Sequence, residues 1–220
     1  MSNHNAQSGN PVAKDNTRTV VAARAPVRTS VTHPLRIGEV QAADAGGLIG
    51  VTFCPGKQGP SNSGFVWRRD LRLDLNTIAA WGPAAIVTLI EEHEFEMLGV
   101  QDLGRQISAR GIEWHHLPIV DVEVPDARFE AGWLASGPKL LSVLREGGRV
   151  LVHCRGGLGR AGTVAARFLV ELGVPARQAV ARVRAARPGA IETPDQLQYV
   201  LATRAHLDGT DESAAINQKE

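Results

Sequence analysis

The chain has 220 residues, 43% of them hydrophobic and 21% charged, which suits one soluble domain with a real core plus tails. A net charge of +1 gives no global field for nucleic acid. No apolar run reaches the roughly 18 residues that a membrane span needs, and two cysteines make neither a disulfide framework nor a zinc set. Met1 to Gln7 are polar and Val20-Val21-Ala22-Ala23 is too short for a signal-peptide core, so a cytoplasmic protein is expected.

Residues 1–32 are rich in Asn, Ser, Thr, Ala and Arg without periodicity and read as a disordered arm; 208–220 read as a disordered tail. One domain is expected over 33–207. Leu48 to Phe53 reads as a strand ending at Pro55-Gly56, followed by a polar loop from Lys57 to Gly64. Leu71, Leu75 and Ile78 fit a helix begun near Asp70 and stopped by Gly82-Pro83. Ala84 to Ile90 is a continuous apolar strand, buried on both faces. Leu103, Ile107 and Arg110 mark a helix closed by Gly111, and Ile112 to Leu117 a strand. Phe129 to Arg145 reads as helical, kinked or split at Gly137-Pro138. A strand at 149–153 and helices at 161–172, 176–187 and 194–207 follow. The alternation predicts an α/β fold, a mostly parallel central sheet flanked by helices on both faces. Ligands then bind beyond the carboxyl ends of the strands, where Cys154 and Asp121 both fall.

The run His153-Cys154-Arg155-Gly156-Gly157-Leu158-Gly159-Arg160-Ala161-Gly162-Thr163 carries the chemistry. It joins a strand end to a helix start, where backbone N–H groups lack partners and the helix dipole favours an anion. Gly156, Gly157 and Gly159 let the backbone curl so that its amides converge, with Arg155 and Leu158 completing the cradle. A thiol at a helix N-terminus beside an arginine is acidified, so Cys154 is expected to act as a thiolate. Arg160, six positions later, presents a planar fork for two oxygens of a tetrahedral dianion. Together these describe phosphoryl transfer through a cysteinyl-phosphate, without metal or cofactor. A Cys-x5-Arg spacing alone occurs by chance, and a Gly-rich turn is often only a turn. Here the histidine, the three glycines and the flanking elements coincide. The charge distribution agrees: Leu141 to Ala190 holds nine Arg and two Glu, Glu91 to Glu130 ten acidic and three basic residues.

Expulsion of an alkoxide or phenoxide calls for a general acid. Asp121, after a strand and on a loop stiffened by proline and β-branched residues, is preferred. Asp126 reads better as a helix N-cap, and Glu123 is a weaker rival. His115-His116 point to opposite faces of a strand and read as structural. His153 is expected to orient the loop by hydrogen bonds. Cys54 reads as a buried small residue.

The run from His153 to Thr163 resembles the cysteine-dependent protein phosphatases, specifically the dual-specificity group and, within it, the cyclin-dependent-kinase-associated phosphatases. Ile49 to Lys57, Trp114 to Asp121 and Gly189 to Gln196 extend the resemblance over most of the folded part. It implies Cys154 as nucleophile, Arg160 as phosphate clamp and Asp121 as acid. It also matches Gln196 to a glutamine that places the hydrolytic water in some relatives; the bland reading is a helix-surface amide. Most relatives carry Ser or Thr where this chain has Ala161, a feature shared with the sluggish phosphatases of regenerating liver. Tyrosine-specific relatives carry a tyrosine on a recognition loop, whereas Tyr199 falls in the last helix. A shallow site for phospho-Tyr and phospho-Ser/Thr in a phosphoprotein or phosphopeptide is therefore expected. Inositol-lipid phosphatases add loop lysines that are missing here. A phosphoinositide or small-molecule phosphatase, and a slow-turnover phosphoprotein-binding module, are the alternatives. Rhodanese and arsenate reductase also use a cysteine in an anion loop but need no Asp121.

Overall fold

The structure is a computed structural model and describes residues 25–42 and 46–204. Its strands are β1 (Val27–Arg28), β2 (Gly38–Gln41), β3 (Leu48–Phe53), β4 (Gln58–Pro60), β5 (Val66–Arg68), β6 (Ala85–Thr88), β7 (Glu113–His116) and β8 (Arg149–Cys154). Its helices are α1 (Leu71–Trp81), α2 (Glu92–Met97), α3 (Leu103–Ser108), α4 (Ala127–Arg145), α5 (Gly159–Glu171), α6 (Ala176–Ala186) and α7 (Pro194–Ala202). The main sheet has the order β2-β3-β8-β6-β7. All its pairings are parallel except β2 with β3 at the edge.

Strand side chains alternate between faces, so a strand covered on both sides must be apolar at every position. β8 does this over its middle, between exposed Arg149 and buried His153: Val150 and Val152 enter one core with Ile49, Val51 and Val87. Leu151 enters the other with Ile86. Phe129, Trp133 and Leu140 of α4, Val164 and Phe168 of α5, Val180 of α6 and Val200 of α7 close the first core. Leu75, Ile78, Phe95, Leu103 and Ile107 of α1 to α3 close the second. The expected architecture is therefore present, and both cores lead to the carboxyl ends of β8, β6 and β7.

Local signals set most boundaries. Asp70 caps α1 by accepting the Leu73 N–H at 3.0 Å, and Gly82 ends it in the left-handed conformation at φ 76°. Asp126 caps α4 through the Phe129 N–H at 2.9 Å. Pro138 does not split α4, which runs unbroken over 19 residues. The carbonyl that proline leaves without its donor belongs to Leu134, a residue 79% exposed, where water can serve it. The loop expected from Lys57 to Gly64 instead contains β4, which pairs with β5, and β1 extends that small sheet. These strands of two and three residues are too short to show periodicity; they are held by Trp67, whose ring lies 5.5 Å from Phe53 and 4.8 Å from Phe65. Part of the expected arm, 25–32, thus carries β1. The rest of that arm, residues 205–207 and the expected tail lie outside the described residues. The helix expected over 194–207 ends at Ala202.

Candidate active site

Cys154 ends β8 and Gly159 begins α5, so four residues make the whole connection. What turns their amides inward is that their carbonyls are taken from outside. The Arg155 carbonyl accepts from Lys57 Nζ at 3.1 Å, and the Gly157 and Gly156 carbonyls from Arg187 at 2.9 and 3.3 Å. The Leu158 carbonyl accepts from the Gly162 N–H at 2.8 Å. Gly157 sits at φ 70°, and a Cβ there would lie 2.4 Å from the Thr52–Phe53 backbone, so no other residue fits. Its N–H donates to Cys154 Sγ at 3.2 Å. Cys154 itself is 3% exposed.

Among the described residues Arg160 is the largest fully buried side chain, and it enters the cradle from the first turn of α5. Glu94 of α2 holds it with a two-pronged pair, 2.6 Å to Nη1 and 3.0 Å to Nη2. Nη1 also donates to the Ile119 carbonyl at 3.0 Å. Asp121 Oδ1 lies 2.7 Å from Nη2, and its Oδ2 lies 3.6 Å from Arg155. Arg160 Nε is buried with no hydrogen-bond partner among the described residues. A buried guanidinium N–H without an acceptor is costly. Burial opposes both charges of the Arg160–Glu94 pair. For Glu94 the Arg160 hydrogen bonds and the Glu91 N–H outweigh it and lower its pKa; for Arg160 the neighbouring negative groups, Glu94 foremost, raise its pKa.

Residues 68–200, more than half of the chain, match the family model described as Swiss Army Knife protein, DSP-PTPase phosphatase domain. The chain belongs to this phosphatase family. Human cyclin-dependent kinase inhibitor 3 is 32% identical to it over 151 residues, 66% of this chain and 70% of that protein. The rat protein of the same name is 31% identical over 143 residues, 64% of this chain and 66% of that one. The structure of kinase associated phosphatase with its catalytic-site cysteine changed to serine superposes with a TM-score of 0.65 at 27% identity, covering 76% of this chain and 93% of that one. Tk-PTP in its active form gives 0.51 at 30% identity, covering 69% and 88%.

In this phosphatase the remaining predicted site residues fall as follows. His153 is fully buried, and burial lowers its pKa to about 3, so the ring is neutral. Its Nε2 lies 2.8 Å from Thr88 Oγ1, which also accepts the Trp114 Nε1 N–H at 2.9 Å, and its Nδ1 is buried with no hydrogen-bond partner among the described residues. Asp126 caps α4 and pairs with Arg128, while Glu123 contributes its backbone carbonyl, so of the three acidic candidates Asp121 is the one that meets Arg160. Gln196 does not lie on the helix surface. It is fully buried, and its amide bonds the Val122 and Glu123 carbonyls and the Glu192 and Thr193 N–H groups.

Cys54 follows Phe53, the residue in register with Cys154, and is fully buried in the other core, as expected of a small apolar residue. Burial raises its pKa. His116 Nε2 contacts the Ile90 carbonyl at 2.8 Å, and His115 lies 3.0 Å from Glu113, as befits opposite faces of β7. Tyr199 donates to Glu130 at 2.7 Å and belongs to a packing network with Arg167. Among the described residues no helix is long and apolar enough to cross a membrane.

Sequence reasoning missed Glu94, Lys57, Arg187 and Glu192. Burial lowers the Lys57 pKa to about 8. Its ammonium also lies 4.6 Å from the Phe53 and Trp67 rings. Glu192 Oε2 accepts the Gly159 N–H at 2.7 Å, so it closes one side of the cradle. Ile191 before it is held at φ 60°, an uncommon conformation for a β-branched residue.

Proposed function

We propose that this phosphatase hydrolyses phosphomonoesters of phosphoproteins, phospho-Tyr and phospho-Ser/Thr alike, with Cys154 as nucleophile, Arg160 as phosphate clamp and Asp121 as acid. The observation that carries this reading is Arg160: fully buried, held by Glu94, with Nε unpaired among the described residues and with Asp121 on Nη2. Phosphoryl oxygens accept from Arg160 Nε and Nη2 and from the loop amides. Asp121 then exchanges Nη2 for the ester oxygen. The Cys154 thiolate attacks phosphorus, the P–O bond to the leaving group breaks, and the proton of the Asp121 carboxyl goes to that oxygen. In the second step water attacks phosphorus, Asp121 takes its proton, the S–P bond breaks and the thiolate returns. No metal is needed at any step.

A cavity of about 470 Å³ adjoins the cradle, bounded by Asp121 and Arg155 on one side and by Ser61, Phe65 and Met97 on the other. It supports a protein segment as substrate. Asp121 and Glu192 share this cavity, and the Lys57 ammonium is bonded to the Arg155 carbonyl. The cavity thus carries two carboxylates and the two cations Lys57 and Arg155, and the screen below decides the phosphoinositide alternative. The slow-turnover alternative keeps support from Ala161, fully buried where relatives carry a hydroxyl. A thiolate nucleophile also argues for a reducing compartment, hence the cytoplasm. The test is a screen of phosphopeptides and phosphoinositides with EDTA present, using Asp121→Ala protein to trap ligands. Turnover of phosphopeptides supports the reading; turnover confined to phosphoinositides, or activity removed by EDTA, overturns it.

A further inference from the structure

A primary amide can donate two hydrogen bonds and accept two. Gln196 does all four. Its Nε2 donates to the Val122 and Glu123 carbonyls at 3.3 and 3.2 Å, and its Oε1 accepts from the Glu192 and Thr193 N–H groups at 3.0 and 3.3 Å. With the side chain fully buried, no capacity is left to hold a water for the second step. The amide grips the two residues that follow Asp121.

We infer that Gln196 is a positioning residue for the general acid: it fastens the Asp121 loop to the cradle. The inference rests on the assignment of Asp121 proposed above. Three observations carry it. The loop has little packing of its own, since Val120 and Val122 are 42% and 60% exposed between the buried Ile119 and Pro125. Val122 stands at φ 61°, a conformation a β-branched residue keeps only when its surroundings impose it. The bonds also close a ring. Gly159 N–H binds Glu192, whose own N–H binds Gln196; Gln196 binds the Val122 carbonyl, and Asp121 returns to Arg160, the neighbour of Gly159. The cradle and the acid are thus placed relative to each other by one side chain from α7.

Part of this amide is also a helix cap. Gln196 is the third residue of α7 and shares a capping box with Thr193. The cap uses Oε1, whereas the grip on the acid loop uses Nε2. Gln196→Glu separates the two, because a carboxylate still accepts from Glu192 and Thr193 but cannot donate to the Val122 and Glu123 carbonyls. A second variant, Gln196→Ala, removes both.

The experiment compares kcat/KM for phenyl phosphate, a poor leaving group, with that for p-nitrophenyl phosphate, a good one. Vanadate inhibition reports the intact cradle. Displacing a catalytic group by about 1 Å costs on the order of a hundredfold. Gln196→Glu should therefore lose about ten- to a hundredfold on phenyl phosphate and only a few-fold on the nitrophenyl ester, with vanadate inhibition unchanged. In an Asp121→Asn background it should cost nothing further on phenyl phosphate. Gln196→Ala should show the same selectivity. Equal losses on both esters, or no loss, would overturn the inference. Asp121→Asn alone is the control: if it lacks leaving-group dependence, the acid assignment itself has failed, and the inference with it.

Discussion

Replacing Ala161 by serine tests whether a missing hydroxyl limits this phosphatase. Ala161 is fully buried, two residues into α5, and Cys154 Sγ accepts the Gly157 N–H at 3.2 Å. A compensating donor could have come from Thr163, but that hydroxyl donates to the Gly159 carbonyl at 2.9 Å. A serine hydroxyl directed at the sulfur adds one charge-assisted bond, about 1.5–3 kcal/mol. The sulfur is the leaving group when water attacks the cysteinyl-phosphate. Fully expressed in that transition state, the bond accelerates hydrolysis by about ten- to a hundredfold. Cleavage of the substrate ester, driven by Arg160 and the cradle amides, gains less. The natural protein should therefore release a burst of aryl alcohol and then turn over slowly, in rapid mixing with p-nitrophenyl phosphate. Ala161→Ser should shrink the burst relative to the steady rate and raise that rate. Absence of a burst in the natural protein, together with no gain from serine, would refute the reasoning.

Three further outcomes follow from the geometry. Asp121→Asn should cost about 10²–10⁴ on phenyl phosphate and far less on the nitrophenyl ester. Asp126→Ala should keep the rate and lose about 1 kcal/mol in denaturant unfolding, as the loss of an N-cap; the reverse pattern would transfer the acid to Asp126. Glu94→Gln removes the buried counter-charge of Arg160 and leaves it only the half-exposed Asp121. It should cost about 3–5 kcal/mol of stability and weaken vanadate inhibition, and unchanged inhibition would show that Glu94 does not aim the arginine. His153, held neutral with a pKa near 3 against an ordinary 6.5, takes up its proton more readily when unfolded. Its contribution is complete above pH 6.5 and is lost as pH falls toward 3, by about 4–5 kcal/mol in all. Urea unfolding across that range should fall more steeply for the natural protein than for His153→Asn; parallel curves would contradict the burial argument.

The cradle was legible because its chemistry needs a contiguous run: Cys154, three glycines and Arg160 declare themselves within seven residues. The strand at Leu48–Phe53 and the helix bounded by Asp70 and Gly82 were legible because periodicity and caps agree. What stayed hidden acts through backbone. Lys57, Arg187 and Glu192 reach the cradle from 98, 30 and 33 positions away and bind carbonyls or an amide, which leave no residue pattern to match. Glu94 belongs to an acidic run that read as charge imbalance, although its N–H-capping spacing from Glu91 was a faint sign of a helix start. Gln196 was found by resemblance, but the direction of its amide is a tertiary fact that no sequence pattern carries.

The central claim is a phosphoryl group carried on Cys154. Rapid acid quench of the protein with a phosphorylated substrate, in EDTA, followed by mass spectrometry of the peptide holding Cys154, measures it directly. The account predicts one added phosphoryl on that peptide within the burst, absent from Cys154→Ser protein, which should also be inactive. Phosphate release by the Cys154→Ser protein, or a burst with the phosphoryl on any other residue, would contradict it.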